Sequence, residues 1–266
     1  MATPQSQAAW VEKAYAVPSR PGVEQVFVVS VEKSLTDAKA VKNMVVMFAG
    51  GAGAIASPAA GTSEQAPGNL KSLHGYLAEK LGVAVSIGLP SDQQQGLSLD
   101  WRETAEHEQD VSAVTEVLMK QYPEARITVL GFSNGGRSAA HIGAGLGRKW
   151  GARMQGVVLM STSPEAFRRD WIQALEASRD GQNIKRKVPV LVVHHKRDSC
   201  LPYREIESDA KWHDLILVDD AKQPRVDAFR RDCGHGSAHQ FSGRQDWVYQ
   251  AVVDWIKTGK VTELSN

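Results

Sequence analysis

The sequence predicts an α/β architecture, a mainly parallel sheet of about eight strands with helices on both faces. Three observations lead there. Short runs rich in Val, Ile and Leu recur at nearly regular intervals, as strands buried on both faces require. Amphipathic stretches lie between them, and parallel strands need crossovers of that kind. The 266 residues are 42% hydrophobic and 23% charged, an ordinary globular balance with enough apolar material for one large core.

Taken in order, residues 11–17 and 25–31, parted by Pro18 and Pro21, predict an antiparallel hairpin at a sheet edge, where proline is tolerated. Further strands are expected at 44–49, 83–87, 127–131, 156–161, 189–194 and 215–218. Helices are expected at 69–81, 108–122, 135–149, 165–177, 203–209 and 244–257. In the last of these, Trp247, Ala251 and Trp255 join Val248 and Val252 at helical spacing, an apolar stripe fit to lie on the sheet. No repeat, low-complexity tract or long linker interrupts the alternation, so residues 1–266 read as a single domain. Only residues 162–188 separate two late strands, so no large lid is expected there.

Charge and hydropathy exclude other classes. Thirty-one Lys and Arg against 30 Asp and Glu leave a net charge of +1, so no global field favours nucleic acid or an anionic membrane surface. No apolar run approaches the ~20 residues of a membrane span, so membrane insertion is not expected.

The strand at 127–131 runs straight into Gly131-Phe132-Ser133-Asn134-Gly135, which a helix-like stretch follows. This is G-x-S-x-G in the strand, turn, helix setting that gives the motif meaning: a sharp turn lifts the serine hydroxyl to the carboxyl end of the sheet. The amides at the start of the following helix, with Asn134 the first, are placed to stabilise an oxyanion. A second donor is expected from the glycine loop Ala49-Gly50-Gly51-Ala52-Gly53 after the strand at 44–49, with Gly51 first and Ala52 next. A phosphate cradle is disfavoured, because no G-K-[ST] follows.

A serine hydroxyl needs a base to take its proton, and an imidazole base needs a carboxylate to fix its tautomer. With chain order serine, acid, histidine, the strand at 189–194 delivers Asp198 in the loop beyond it. The loop after the strand at 215–218 holds two candidate bases, His235 and His239. The residues alone leave these two open.

Gly50-Gly51-Ala52-Gly53, Leu89-Pro90-Ser91-Asp92, residues 102–110 with His107, the G-x-S-x-G turn, residues 194–200, and Cys233 six residues before His239 together resemble a group of bacterial α/β-hydrolases of esterase type. The resemblance spans about residues 41–256. It implies an α/β-hydrolase fold, a Ser133–His239–Asp198 triad and a carboxylic ester or related acyl compound as small-molecule substrate, with no cofactor. The spacing from Cys233, followed by Phe241 and Gly243, is what selects His239 and leaves His235 as the alternative. The chain departs from the group in carrying Asn134 where an arginine often follows the serine. The alternative from another class is a hydrolase-fold binding module without turnover.

If the triad forms, the Asp198 and His239 loops must meet, bringing Cys200 and Cys233 within bridging reach. A disulfide there persists only in an oxidising compartment, so a periplasmic or secreted protein is expected, with cytoplasmic as the alternative. Residues 1–7 lack the basic start and apolar stretch of a secretory signal, so the export reading places any leader outside this sequence. Trp101 and Ala52 are the candidate substrate contacts, while Ser91, Asp92 and Arg102 read mainly as loop braces. His107, His141 and His194 read as structural histidines, and no His and carboxylate spacing suggests a metal site.

Overall fold

The computed structural model describes residues 9–55, 68–167, 188–219, 233–234 and 236–261. Its centre is one eight-stranded sheet in the order β1-β2-β4-β3-β5-β6-β7-β8. The strands are β1 (Trp10–Arg20), β2 (Val23–Glu32), β3 (Asn43–Phe48), β4 (Gly82–Pro90), β5 (Arg126–Phe132), β6 (Met154–Met160), β7 (Val190–His195) and β8 (Asp214–Val218). The first two form the expected edge hairpin, and β2 also lies antiparallel to β4. From β4 onward every pairing is parallel.

Alternation along the strands divides the core into two layers, because successive side chains leave opposite faces of a strand. On one face Met44, Val46, Phe48, Ile127, Val129, Val157 and Leu159 pack with α2 (Ala105–Gln121) and α3 (Gly135–Trp150). On the other, Val45, Met47, Leu130, Val158, Leu191 and Val193 pack with α1 (Gly68–Leu81) and the C-terminal helix Gln245–Thr258. In that last helix Trp255 is buried as its spacing predicts, and its indole N–H donates to Asp214 at 2.7 Å. Trp247 is only half-buried at the cluster's margin.

Two helices depart from expectation. The second begins at Ala105 rather than Glu108, because the Thr104 hydroxyl accepts the His107 N–H at 3.2 Å and caps it. The helix expected at 203–209 is a 3-10 turn, Tyr203–Glu205, followed by a single α-turn, α4 (Glu207–Ala210). Ile206, at φ −112° and ψ −6°, closes the first turn through its N–H and so interrupts the run. The C-terminal helix is therefore α5. Of the helix expected at 165–177, residues up to 167 form a 3-10 turn and the remainder lies outside the described residues. Residues 168–187, where a lid between β6 and β7 would fall, lie outside the described residues.

The carboxyl ends of β3, β5, β6 and β7 lie side by side, which is where an open parallel sheet holds its ligands.

Candidate active site

At the end of β5 the backbone turns sharply. Ser133 has φ +53°, in the left-handed region that costs a non-glycine residue about 1 kcal/mol or more. The flanking glycines are required by close approach: a Cβ at Gly131 would overlap the Gly135 carbonyl, and one at Gly135 would overlap that of Phe48. The Ser133 N–H donates to the Met160 carbonyl at 2.9 Å, so the bend is stitched to β6. The side chain is half-buried.

Three non-glycine residues have positive φ among the described residues, and all three surround this point. Besides Ser133 they are Ser161, one residue past β6, and Phe241, two residues past His239. The Ser161 hydroxyl donates to the His239 carbonyl at 2.7 Å, in a buried position. Strain of this kind persists only where surrounding contacts over-determine the backbone, and it concentrates at functional sites.

Asp198 lies in the turn after β7 and is 3% exposed. Its Oδ2 is 2.7 Å from Nδ1 of His239, itself 1% exposed. Its Oδ1 accepts the N–H groups of Cys200 at 2.9 Å and Leu201 at 3.0 Å. Because the carboxylate only accepts, His239 donates through Nδ1 and Nε2 is left as the proton-accepting nitrogen. The imidazole packs on Phe132, the residue before Ser133, with ring centroids 5.1 Å apart. His235 lies outside the described residues.

A second imidazole lies beside the acid. His194 Nε2 donates to the Leu201 carbonyl at 2.8 Å and is 3.5 Å from Asp198 Oδ2. Burial holds its pKa below the usual histidine value, against the opposing pull of Asp198 and the Leu201 carbonyl, so it stays neutral.

The glycine loop after β3 forms a tight turn in which the Gly53 N–H donates to the Gly50 carbonyl at 2.9 Å. Gly51 occupies φ +54°, and Gly51 and Ala52 are both exposed. The turn sits on the serine bend: a Cβ built at Gly50 would come within 2.9 Å of the Ser133 Cβ. Asn134 leads into α3 without a side-chain cap bond, and no hydrogen bond among the described residues engages its N–H. Trp101 is half-buried beneath the Arg20 guanidinium, 5.2 Å from the ring centroid, and no described contact joins it to Ser133.

Cys200 and Cys233 are joined in a disulfide, with Cα atoms 5.0 Å apart across a separation of 33 residues. It links the residue whose N–H holds Asp198 to one whose carbonyl accepts from Gln240 at 3.0 Å. Asp198, Cys200 and His239 place potential ligand atoms within 4.8 Å of one another. Cys200 is consumed by the disulfide and has no thiolate to offer, while His239 and Asp198 are bonded to each other. The trio is therefore a poor metal site.

No protein-family model matches this sequence, and no curated protein matches it. Solved structures do. A serine hydrolase homologue from Coxiella burnetii superimposes with a TM-score of 0.57 at 13% identity, over 91% of this chain and 96% of that one. Est1E from Butyrivibrio proteoclasticus gives 0.61 at 14% identity, over 92% and 98%. The chain has the α/β-hydrolase fold. A third structure with that fold, the Pyrococcus furiosus esterase Pf2001, gives 0.54 at 15% identity, over 94% and 93%.

Within the hydrolase fold, the described residues unite Asp198 with His239 and set Gly50 on Ser133. The sequence carries no signal for Ser161 beyond its position one residue past a buried strand, and nothing local places His194, read as structural, beside the acid.

Proposed function

We propose that the protein is a single-domain serine hydrolase acting on carboxylic esters or related small acyl compounds. The observation that carries the reading is the buried 2.7 Å pair of Asp198 and His239, packed against the strained bend that bears Ser133. Solved structures with this fold that are named as esterases or serine hydrolases support it.

In this reading His239 Nε2 takes the Ser133 hydroxyl proton as the oxygen attacks the acyl carbon. The N–H groups of Gly51 and Asn134 receive the carbonyl oxygen as it becomes an oxyanion, while Ala52 and Trp101 border the acyl group. The same proton then passes to the departing alcohol, leaving an acyl ester on Ser133. A water that loses its proton to His239 hydrolyses this ester, and the proton returns to Ser133. Asp198 holds the imidazole tautomer and balances its transient positive charge.

The disulfide supports a second proposal, that the protein works in an oxidising compartment such as the periplasm or outside the cell.

A fluorophosphonate probe with mass mapping of the labelled peptide, run beside hydrolysis of a p-nitrophenyl ester, tests the function. Label on Ser133 and loss of turnover in Ser133→Ala are expected. An unlabelled, folded protein without turnover would favour a binding module on the same scaffold.

A further inference from the structure

Beneath the glycine turn lies a charged group that the proposed mechanism does not use. Arg102 is fully buried, and among the described residues it has no carboxylate partner. The neighbouring Glu103 is taken by Arg137, whose Nε donates to it at 2.6 Å. Arg102 instead spends its donors on two neutral acceptors: Nη2 donates to the Gly51 carbonyl at 2.8 Å and Nη1 to the Ser138 hydroxyl at 3.1 Å. Burial first, and the nearby Arg137 second, pull its pKa down to about 10, so it remains a cation at neutral pH.

Burying an unpaired guanidinium is costly, so the interactions that hold it there call for a reason beyond packing. Its contacts supply one. The Gly50 carbonyl accepts from the Gly53 N–H, which orients the peptide before Gly51. The Gly51 carbonyl accepts from Arg102, which orients the peptide after it. Gly51 is the residue with φ +54°, where a glycine is free to flip either flanking peptide. In a trans peptide N–H and C=O point opposite ways. The Ala52 N–H is therefore turned away from the buried guanidinium, and with both flanking peptides pinned Gly51 keeps the backbone angles that set the direction of its own N–H, the proposed oxyanion donor.

The anchor is itself braced. Arginine only donates, so the Ser138 oxygen accepts from Arg102, and the same hydroxyl is hydrogen-bonded to His107 Nε2, 3.1 Å away. Ser138 lies on α3, the helix that begins at the serine bend, so one guanidinium ties that helix to the glycine turn.

We propose that Arg102 is the positioning residue of the oxyanion turn, holding the Gly50–Gly53 backbone in its donor conformation above Ser133. The proposal rests on the serine-hydrolase reading. Arg102 touches no reacting atom and acts through the Gly51 carbonyl. Its uncompensated charge also lends the turn a positive potential where an oxyanion would form.

The test compares Arg102→Met and Arg102→Lys with the wild type on a p-nitrophenyl ester. A trifluoromethyl ketone serves as mimic of the tetrahedral adduct, with fluorophosphonate labelling and a thermal melt alongside. For Arg102→Met, kcat is expected to fall about 10- to 100-fold while KM stays within about twofold, since a donor that acts only on the oxyanion leaves ground-state binding unchanged. Affinity for the ketone should weaken by the same factor. Arg102→Lys keeps the charge and should recover part of the loss; if the methionine variant does not fold, a loss of at least about fivefold in the lysine variant carries the case. A folded Arg102→Met enzyme with kcat and ketone affinity within twofold of wild type would overturn the proposal while leaving the Ser133 reading intact. Failure of the probe to label wild-type Ser133 would instead remove that reading, and this role with it.

Discussion

Replacing both cysteines of the Cys200–Cys233 bridge by serine separates what the bond does for the fold from what it does for the site. The bond closes a loop of 33 residues. Confining an unfolded chain to such a loop removes entropy equivalent to about 4 kcal/mol at 25 °C. Cys233 is exposed and Cys200 half-buried, so the serines leave little cavity to add to that figure. Spread over the unfolding entropy of 266 residues, the loss lowers the melting midpoint by roughly 7 °C. The bond also fastens the Cys200 amide that donates to Asp198, and slackening one hydrogen bond to a carboxylate is worth ~1.4 kcal/mol, or tenfold in kcat. Thermal melts and guanidinium titrations of the wild type, with and without reductant, and of the double-serine variant supply the assay, with ester turnover measured on each. Reduced wild type and variant should agree with each other and both fall below the oxidised protein. Midpoints within about 1 °C in all three samples would refute the loop-closure reasoning. Lost stability with full kcat would refute the coupling to Asp198.

Two further perturbations test the site from other directions. Asp198→Asn keeps the shape of the acid but presents an amide where His239 Nδ1 now donates; kcat is expected to fall about 10³- to 10⁴-fold with little change in melting midpoint, and a loss under tenfold in steady-state kinetics would argue against the pairing. Acid stability should report on His107, whose pKa is pushed down to about 3 by burial first, then by Arg102 and His141. Because the folded value lies below that of the unfolded chain, the stabilisation is complete above pH ~6.5 and is lost progressively as pH falls toward 3. The wild-type midpoint should therefore drop more steeply between pH 6.5 and 4 than that of His107→Gln, and parallel slopes for the two proteins would remove His107 as the cause.

The parts of this molecule that were legible in the chain are those written locally. Strand positions follow from short apolar runs, and the serine bend is encoded in five consecutive residues whose glycines answer to two backbone contacts. Asp198 was legible because it stands just past a buried strand. Helix starts were less so: Thr104 caps α2 four residues before the expected start at Glu108, since a cap depends on one hydroxyl rather than on periodicity.

Local patterns carry the sheet, the strained turn and the residue types available for acyl chemistry. The meeting of Asp198 with His239 and of Cys200 with Cys233 was expected only through the family resemblance, and the bonds of Ser161 and Arg102 came from the fold alone. Asp198 and His239 are 41 residues apart and Cys200 and Cys233 are 33 apart, and nothing local in either segment specifies its partner. The Ser161 hydroxyl reaches the His239 backbone across 78 residues, and Arg102 reaches Gly51 across 51. The physical reason is common to all four pairs. Each element carries its own hydrophobic pattern, but the distance between two loop residues is set by how the strands stack into one sheet, through contacts that neither loop contains.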